Sequence, residues 1–185
     1  MLDKKYIEQS SDIIRQMIKE GKIVKPKIGA ADFFIRKSRN ALIVSERLLR
    51  LYDEEKLDTN LWVINTAYYS MFFAATALLA KFGRRIDAEL GIHRLTYHAL
   101  VHYFIKEDNR LKMQLVEEYE TAVEDAEKLL QLGEAKIKEL VKDFNYELEK
   151  RKTFTYSTEE TAERNKAITS YNRAKNFLQE ISKIV

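Results

Sequence analysis

The stretch Leu61-Trp-Val-Ile-Asn-Thr-Ala-Tyr-Tyr-Ser-Met-Phe-Phe-Ala-Ala-Thr-Ala-Leu-Leu-Ala80 decides the fold, because it holds twenty consecutive residues without a charge. The chain as a whole is 33% charged, so this stretch stands apart from everything around it. As an α-helix it would be about 30 Å long, a length that suits either a membrane span or a helix surrounded by other helices.

The polar side chains inside this stretch favour the second alternative. Asn65 and Ser70 would lose their hydrogen-bonding water in lipid, whereas neighbouring helices can replace it. We therefore predict a buried central helix and no membrane association. Tyr68 and Tyr69 are expected to be core residues with hydrogen-bonded hydroxyls.

Composition narrows the class of protein. A length of 185 residues suits one domain, and a single proline with five glycines in a Lys/Glu/Leu/Ala-rich background favours an all-α fold. The absence of cysteine excludes disulfides, thiol catalysis and zinc–thiolate sites. The N-terminus is charged from its third residue and shows no signal-peptide core, so we expect a cytoplasmic protein. A net charge of +3 permits nucleic acid as a partner without implying it.

The first 29 residues are expected to form an N-terminal helical arm and a linker, followed by a helical bundle over residues 30–185. An apolar stripe between Asp3 and Glu20 predicts the helix of the arm, which ends at Gly21. The segment from Lys22 to Gly29 contains the proline and is interpreted as the linker. Two alternatives stay open: an arm packed on the body, or an element that becomes ordered only on a partner.

Helical periodicity predicts four further segments, at about Ala30 to Tyr52, His93 to Ile105, Arg110 to Arg151 and Thr158 to Ser182. The third would be about 60 Å long, so we expect a kink or break at Gly133, or a helical projection beyond the bundle. The sequence Ser-Thr-Glu-Glu at 157–160 is a capping box for the last helix. The expected buried face of that helix is Ala162, Ile168, Tyr171, Ala174, Phe177, Leu178 and Ile181.

Three stretches together resemble a HEPN domain, the small helical domain found in higher eukaryotes and prokaryotes. The sequence of 65–75, Asn-Thr-Ala-Tyr-Tyr-Ser-Met-Phe-Phe-Ala-Ala, is close to the Ala-Tyr-Tyr-Ala-Met-Phe signature of one prokaryotic branch. The sequence Gly-Ile-His-Arg at 91–94 is similar to the family's histidine at the entry to a short third helix. The sequence Arg-Lys-Thr-Phe-Thr-Tyr at 151–156 stands where the family carries its functional arginine motif. The resemblance covers about residues 30–184.

The resemblance implies an antiparallel up-and-down four-helix bundle with a short extra helix, often dimeric. In many relatives it also implies RNA binding or metal-independent ribonuclease activity, in toxins paired with a small nucleotidyltransferase antitoxin. The expected function is therefore an RNA- or nucleotide-interacting component of a toxin–antitoxin-like system. The expected partners are RNA or a nucleotide, the antitoxin and a second copy of the chain, and no cofactor is expected.

The active form of the family's motif is an arginine followed, after four to six residues, by a histidine. Arg151 matches the arginine, but no histidine follows it, and Tyr156 stands at the nearest equivalent position. Cleavage through the RNA 2′-hydroxyl needs a base of near-neutral pKa and a cation beside the phosphate. Tyrosine, with a reference pKa near 10, is a poor base at pH 7 but a good stacking surface and hydrogen-bond donor. Ribonuclease catalysis by Arg151 and Tyr156 and binding without cleavage both stay open.

Phosphate binding is expected from Arg151 and Lys152 at the start of the last helix, with Arg164 about two turns further along. The alternative for the first two is a basic helix end that satisfies terminal carbonyls. Tyr156 has an alternative too, which is packing against the capping box. A different class of function also stays open, namely a non-catalytic dimeric module that docks another protein.

The three histidines of the chain fall close together. His98 and His102 are four residues apart, so a helix would place them on one face, as two metal ligands need, and His93 lies about a turn earlier. No carboxylate stands at a recognised metal-binding spacing beside them. We therefore predict no metal site and expect surface or partly buried histidines.

Overall fold

The computed structural model describes residues 3–88, 90–108, 110–144 and 159–185, and it describes only the backbone of 129–144 and 159–162. The chain is mostly helical, which confirms the predicted all-α character. The helices are α1 (Lys4–Lys19), α2 (Ala30–Glu55), α3 (Asn60–Lys81), α4 (Ile92–Leu100), a π-helix (Val101–Glu107), α5 (Met113–Phe144) and α6 (Glu159–Ser182). Two-residue strands β1 (Ile23–Val24) and β2 (Arg85–Ile86) pair antiparallel.

The uncharged stretch forms α3, and α3 lies in the core as predicted. Val63, Ala67, Ala74 and Leu78 are fully buried, and they mark the sides of α3 that pack against its neighbours. By length and composition α3 could also cross a membrane. However, 67% of its most apolar 18-residue window is buried inside the protein, so the helix is only weak evidence for a membrane span. The apolar surface of α3 is therefore covered largely by protein.

Helices α2 and α3 run antiparallel and approach closely through serines. The Ser38 hydroxyl donates to the Ser70 carbonyl, and the Ser70 hydroxyl donates to the Ser38 carbonyl. Further along, the Ser45 hydroxyl donates to the Val63 carbonyl at 3.2 Å. Small side chains let the two backbones approach, and each hydroxyl bridges to the opposite helix rather than to its own.

Helix α6 runs in the same direction as α3 and packs against both α3 and α2. Near the beginning of both helices Ala167 packs with Val63 and Ile64 in a small apolar cluster, and near their ends Val185 and Ala80 line one cavity. Helix α5 runs opposite to α6. Its later residue Asp125 pairs with Lys166 near the start of α6, and its earlier residue Glu118 accepts a hydrogen bond from Asn176.

Helix α1 packs on the body, which answers the question left open for the arm. Ile14 and Met17 are buried in the main core, and Ser10 Oγ lies 3.0 Å from His98 Nδ1 of α4. The segment after α1 is not only a linker, because its residues Ile23 and Val24 pair with β2. The division at residue 29 stays a prediction.

Two local expectations were wrong, and a third is narrowed. Of the alternatives at Gly133, the break does not occur, since α5 is continuous over Met113–Phe144 and a single glycine costs only about 1 kcal/mol in a long helix, whereas a projection beyond the bundle stays a prediction. The predicted helix over 93–105 changes into a π-helix at Val101, a change that 3.6-residue periodicity cannot reveal. In α6, Ile168 is 38% exposed, whereas the neighbouring Ala167 is fully buried.

Candidate nucleic-acid interface

The predicted site residues fall on two parts of the chain. Arg151, Lys152 and Tyr156 lie outside the described residues, and so does the beginning of the capping box. Arg164 lies in the first half of α6 and its side chain is described. Of the residues predicted to bind phosphate, Arg164 is therefore the one that the structure locates.

Arg164 is held against the last two turns of α2. Its Nη2 lies 2.8 Å from Asp53 Oδ1 and 3.3 Å from the Leu49 carbonyl oxygen. The guanidinium carbon lies 4.5 Å from the centre of the Tyr52 ring, and the side chain is only 14% exposed. These contacts fasten α6 to α2, so Arg164 would have to break them to reach a phosphate.

The same end of the protein holds a second buried polar group. The Thr59 hydroxyl donates to the Leu48 carbonyl at 2.6 Å, next to the carbonyl that Arg164 uses. The following residue, Asn60, is fully buried, and neither atom of its side-chain amide has a hydrogen-bond partner. Asp58 rather than Thr59 provides a cap, because its carboxylate accepts from the Asn60 backbone amide at 3.2 Å. The Arg164 guanidinium and the Asn60 side chain are thus both held inside the packing between helices rather than on the surface.

An open surface lies instead where α2, α3 and α4 meet. Five rings follow one another across these helices, with centroid distances of 5.2, 6.2, 5.9 and 6.1 Å between successive members. Two of them are substantially exposed, Phe33 at 45% and Tyr69 at 38%. We call this set the aromatic row: Phe33, Phe34, Phe73, Tyr69 and His93.

The aromatic row follows from helix geometry. Tyr69 and Phe73 are four residues apart and therefore share one face of α3. The serine contact between Ser38 and Ser70 fixes the register of the two helices, and Phe34 lies one turn from the first serine and Phe73 one turn from the second. Trp62 lies two turns before Tyr69 on the same face of α3 and is 64% exposed.

Unpaired positive charge lies beside the aromatic row. Within the part of the chain that the structure describes, Arg36, Arg39 and Arg47 form no ion pair, although all three are exposed. The Lys37 ammonium lies 5.5 Å from the centre of the Phe33 ring. The one carboxylate between Phe33 and Arg47 in the sequence is that of Glu46, and it pairs with Arg50. We call the four cations the α2 basic face: Arg36, Lys37, Arg39 and Arg47.

A shallow cavity joins the two features. It has a volume of about 210 Å³ and is lined by Phe33, Arg36, Lys37, Arg39 and Asn40. An aromatic ring, three cations and an amide therefore surround one open depression. Rings bind bases by stacking, and guanidinium groups bind phosphates through paired hydrogen bonds.

Burial favours the neutral forms of two ionisable rings near the aromatic row, His93 and Tyr68. Burial lowers the pKa of His93, whose ring centroid lies 4.4 Å from that of Phe72. Burial raises the pKa of Tyr68, which is 5% exposed. The expected core position therefore holds for Tyr68 and fails for Tyr69, and the expected hydrogen bond of the Tyr68 hydroxyl has no partner among the described residues. The row offers flat uncharged surfaces, and the positive charge comes from α2.

The other histidines have separate partners. His102 Nε2 lies 3.2 Å from Glu107 Oε1, whereas His98 contacts Ser10 of α1. Among the residues with described placement, no group of three histidine, aspartate or glutamate side chains is arranged to hold a metal ion.

No family model matches the sequence, and no curated protein matches it. The HEPN resemblance stays an expectation that rests on the three sequence stretches.

Sequence reasoning missed this interface although a signal for it was present. Helical periodicity places the α2 arginines largely on the faces away from the core, a position that by itself indicates only a solvated surface. Arg39 and Arg47 have no acidic residue three or four positions away, and Arg36 forms no ion pair with Asp32 four positions before it, whereas Arg50 pairs with Glu46. The overlooked signal was a group of cations without an acidic partner on their own helix, close in sequence to aromatic residues.

Proposed function

We propose that this is a cytoplasmic HEPN-like bundle that binds RNA, as the RNA- or nucleotide-interacting component of a toxin–antitoxin-like system. In this proposal α2, α3, α5 and α6 form the antiparallel four-helix bundle, α4 is the short extra helix and α1 is the arm. The antiparallel pairs α2–α3 and α5–α6 support that arrangement. A small nucleotidyltransferase antitoxin is the proposed protein partner.

The observation that carries RNA binding is the aromatic row beside the α2 basic face. Single-stranded RNA presents unstacked bases and a phosphate on every nucleotide, whereas a duplex hides its bases. Phe33 and Tyr69 offer exposed rings for stacking, and Arg36 and Arg39 are exposed and form no ion pair within the described chain. Single-stranded RNA is therefore the partner whose chemistry fits this surface best.

A second copy of the chain fits the α2 basic face less well than single-stranded RNA does. A two-fold interface brings the same patch of both copies together, so the unpaired arginines would face their own counterparts. Repulsion between like charges opposes such contact. The homodimer expected from the resemblance would accordingly use another surface.

Catalysis is a separate part of the proposal. Arg151 and Lys152 would contact phosphate and Tyr156 would orient or stack a base, in line with the resemblance. Incubation of a mixed RNA pool with the protein and with the variants Arg151→Ala and Tyr156→Phe tests this. Cleavage that disappears in Arg151→Ala would make the protein a ribonuclease without a motif histidine. Binding without cleavage would make it an RNA-binding protein.

The binding proposal is tested by fluorescence anisotropy of a labelled single-stranded RNA at several salt concentrations. Replacing both Arg36 and Arg39 by alanine should weaken binding and reduce the slope of log K against log salt by about 1.4, since each phosphate contact contributes about 0.7. The matched control replaces Arg15 and Lys19, two exposed cations of α1, and should leave the slope unchanged. Equal loss in both variants would show only nonspecific attraction, and absence of binding by the unchanged protein would refute the proposal.

One observation favours the alternative function, a non-catalytic dimeric module that docks proteins. Trp62 is 64% exposed, and Ile43 and Val44 of α2 are 49% and 45% exposed. Exposed apolar side chains of this size are common in protein interfaces. If Trp62→Ala converts a dimer to a monomer in light scattering and RNA does not bind, this alternative replaces the first.

A further inference from the structure

Helix α1 is joined to the body through a layer of polar and ionisable side chains. Two histidines stand at this junction, His98 of α4 and His102 of the π-helix. We infer that α1 is an acid-released arm, which leaves α4 and the π-helix when both histidines take up protons, while the rest of the bundle stays folded. The arm lies outside the stretch that resembles a HEPN domain, and the inference does not rest on RNA binding.

His98 contacts the middle of α1. Its Nδ1 atom lies 3.0 Å from Oγ of Ser10, which is fully buried, and its ring centroid lies 6.4 Å from that of Tyr6. Burial lowers the pKa of His98, and Arg94 lowers it further, so the docked arm favours the neutral ring. The charged groups around this contact are Arg94 of α4 and Glu120 and Glu124 of α5.

His102 lies in the π-helix and is 4% exposed. Its Nε2 atom lies 3.2 Å from Glu107 Oε1, and π-helical hydrogen bonding brings these residues, five apart, to the same side. Its Nδ1 atom is buried and has no hydrogen-bond partner in the described part of the chain. Burial lowers the pKa of His102, and Arg15 of α1, Lys106 and Arg84 lower it further, against the opposing effect of Glu107.

The two histidines therefore link proton uptake to the release of α1. Release exposes both rings to water, where the pKa of histidine returns towards about 6.5. Because the pKa of each ring is lower while α1 is docked, docking is most stable above pH 6.5 and weakens as the pH falls below it. Between pH 7.5 and 5.5 each histidine can lower the docking equilibrium constant by up to about tenfold, and the pair by up to about a hundredfold.

The remaining contacts of α1 suit a helix that can leave. Ile14 and Met17 are its buried apolar anchors. The Glu8 carboxylate pairs with Lys106 but is 58% exposed, and an ion pair that open to water contributes little to stability. The pairing of β1 with β2 follows α1 directly and would keep the released helix attached to the body. Release would uncover the apolar surface on which Ile14 and Met17 pack.

The first test is hydrogen exchange of the full chain at pH 7.5 and 5.5, measured by mass spectrometry and corrected for the effect of pH on intrinsic exchange. We expect peptides from α1 to lose about tenfold to a hundredfold of their protection at pH 5.5, while peptides from α3 keep theirs. Equal losses in α1 and α3 would show global unfolding and overturn the inference. Unchanged protection of α1 would overturn it as well.

The second test replaces the two histidines together, as His98→Gln with His102→Gln. Glutamine stays polar but does not titrate in this range, so protection of α1 should become nearly independent of pH. The readout is the ratio of protection at the two pH values, which remains informative even if the variant docks α1 less tightly. The matched control is His93→Gln, whose ring packs on Phe72 of α3, and it should release α1 like the unchanged protein. Acid release of α1 that persists in the double variant would refute the inference.

Discussion

Ser38 and Ser70 hydrogen-bond each other's helices in both directions, through hydroxyl-to-carbonyl distances of 2.7 and 2.9 Å. Both side chains are fully buried. This reciprocal contact brings α2 close to α3 and sets the register in which Phe34 lies against Phe73. The aromatic row therefore depends on two small polar residues beneath it.

Enlarging Ser38 should disturb the whole contact. Ser38→Ala removes one hydrogen bond and should lower the free energy of unfolding by about 1 kcal/mol. Ser38→Leu must also push the helices apart and should cost about 3 kcal/mol. Urea unfolding of both variants, with the exposed Ser182→Ala as a control, measures these values. If Ser38→Leu proved no worse than Ser38→Ala, the close approach would be unimportant for stability.

Acid should destabilise the protein through buried histidines. Burial lowers the pKa of His98 and His102 in the folded state, so the unfolded chain binds protons first as the pH falls. Their contribution to stability is present above the unfolded value near 6.5 and is lost as the pH falls below it. Urea unfolding at pH 7.5, 6.5 and 5.5 should show a falling free energy of unfolding. His98→Gln should make the decline shallower, and an unchanged decline would show that other groups cause it.

Arg164 should behave as a structural residue. Arg164→Ala loses the pairing with Asp53 and the packing on Tyr52, and it should lower the free energy of unfolding by about 2 kcal/mol. A double-mutant cycle with Asp53→Ala isolates the ion pair. Weaker RNA binding by Arg164→Ala at unchanged stability would instead support the phosphate contact expected from the sequence.

Trp62 gives a direct optical probe of the interface. It is the single tryptophan of the chain, and its 64% exposure places the ring in water. RNA stacked along the same face of α3 should quench the fluorescence of Trp62. It should also reduce the quenching of Trp62 by added acrylamide. The unchanged protein can be titrated without labels. Binding measured by anisotropy with no change at Trp62 would place the RNA elsewhere.

Much of the fold follows from hydrophobic patterning. The uncharged stretch of 61–80 predicts α3 almost to the residue, because such a helix can be stable in water only when other helices cover it. The register of α2 on α3 was not predictable, since it depends on two serines whose polarity suggests a surface position. The π-helix that begins at Val101 and the continuation of α5 through Gly133 likewise reflect tertiary context rather than local preference.

The candidate site was less predictable than the fold. Tyr68 and Tyr69 are adjacent and chemically identical, yet one is buried and the other is 38% exposed, because helix α3 turns about 100° between them. Arg164 lies on the last helix as expected, but the carboxylate of Asp53, which is distant in sequence, already pairs with it. Arg151, Lys152 and Tyr156 stay predictions. The sequence shows which cations lack a charge partner on their own helix, but only the packed helices show which also lack one from another helix.

The most direct measurement is the affinity of a labelled single-stranded RNA for the protein in which Phe33 and Tyr69 are both replaced by alanine. Stacking of one base contributes about 1–3 kcal/mol, so removing these rings should weaken binding at least tenfold. The control replaces Ile13 and Ile168, which are 37% and 38% exposed on α1 and α6, and should bind like the unchanged protein. Equal affinities for all three proteins, or no binding by any of them, would contradict an RNA interface on the aromatic row.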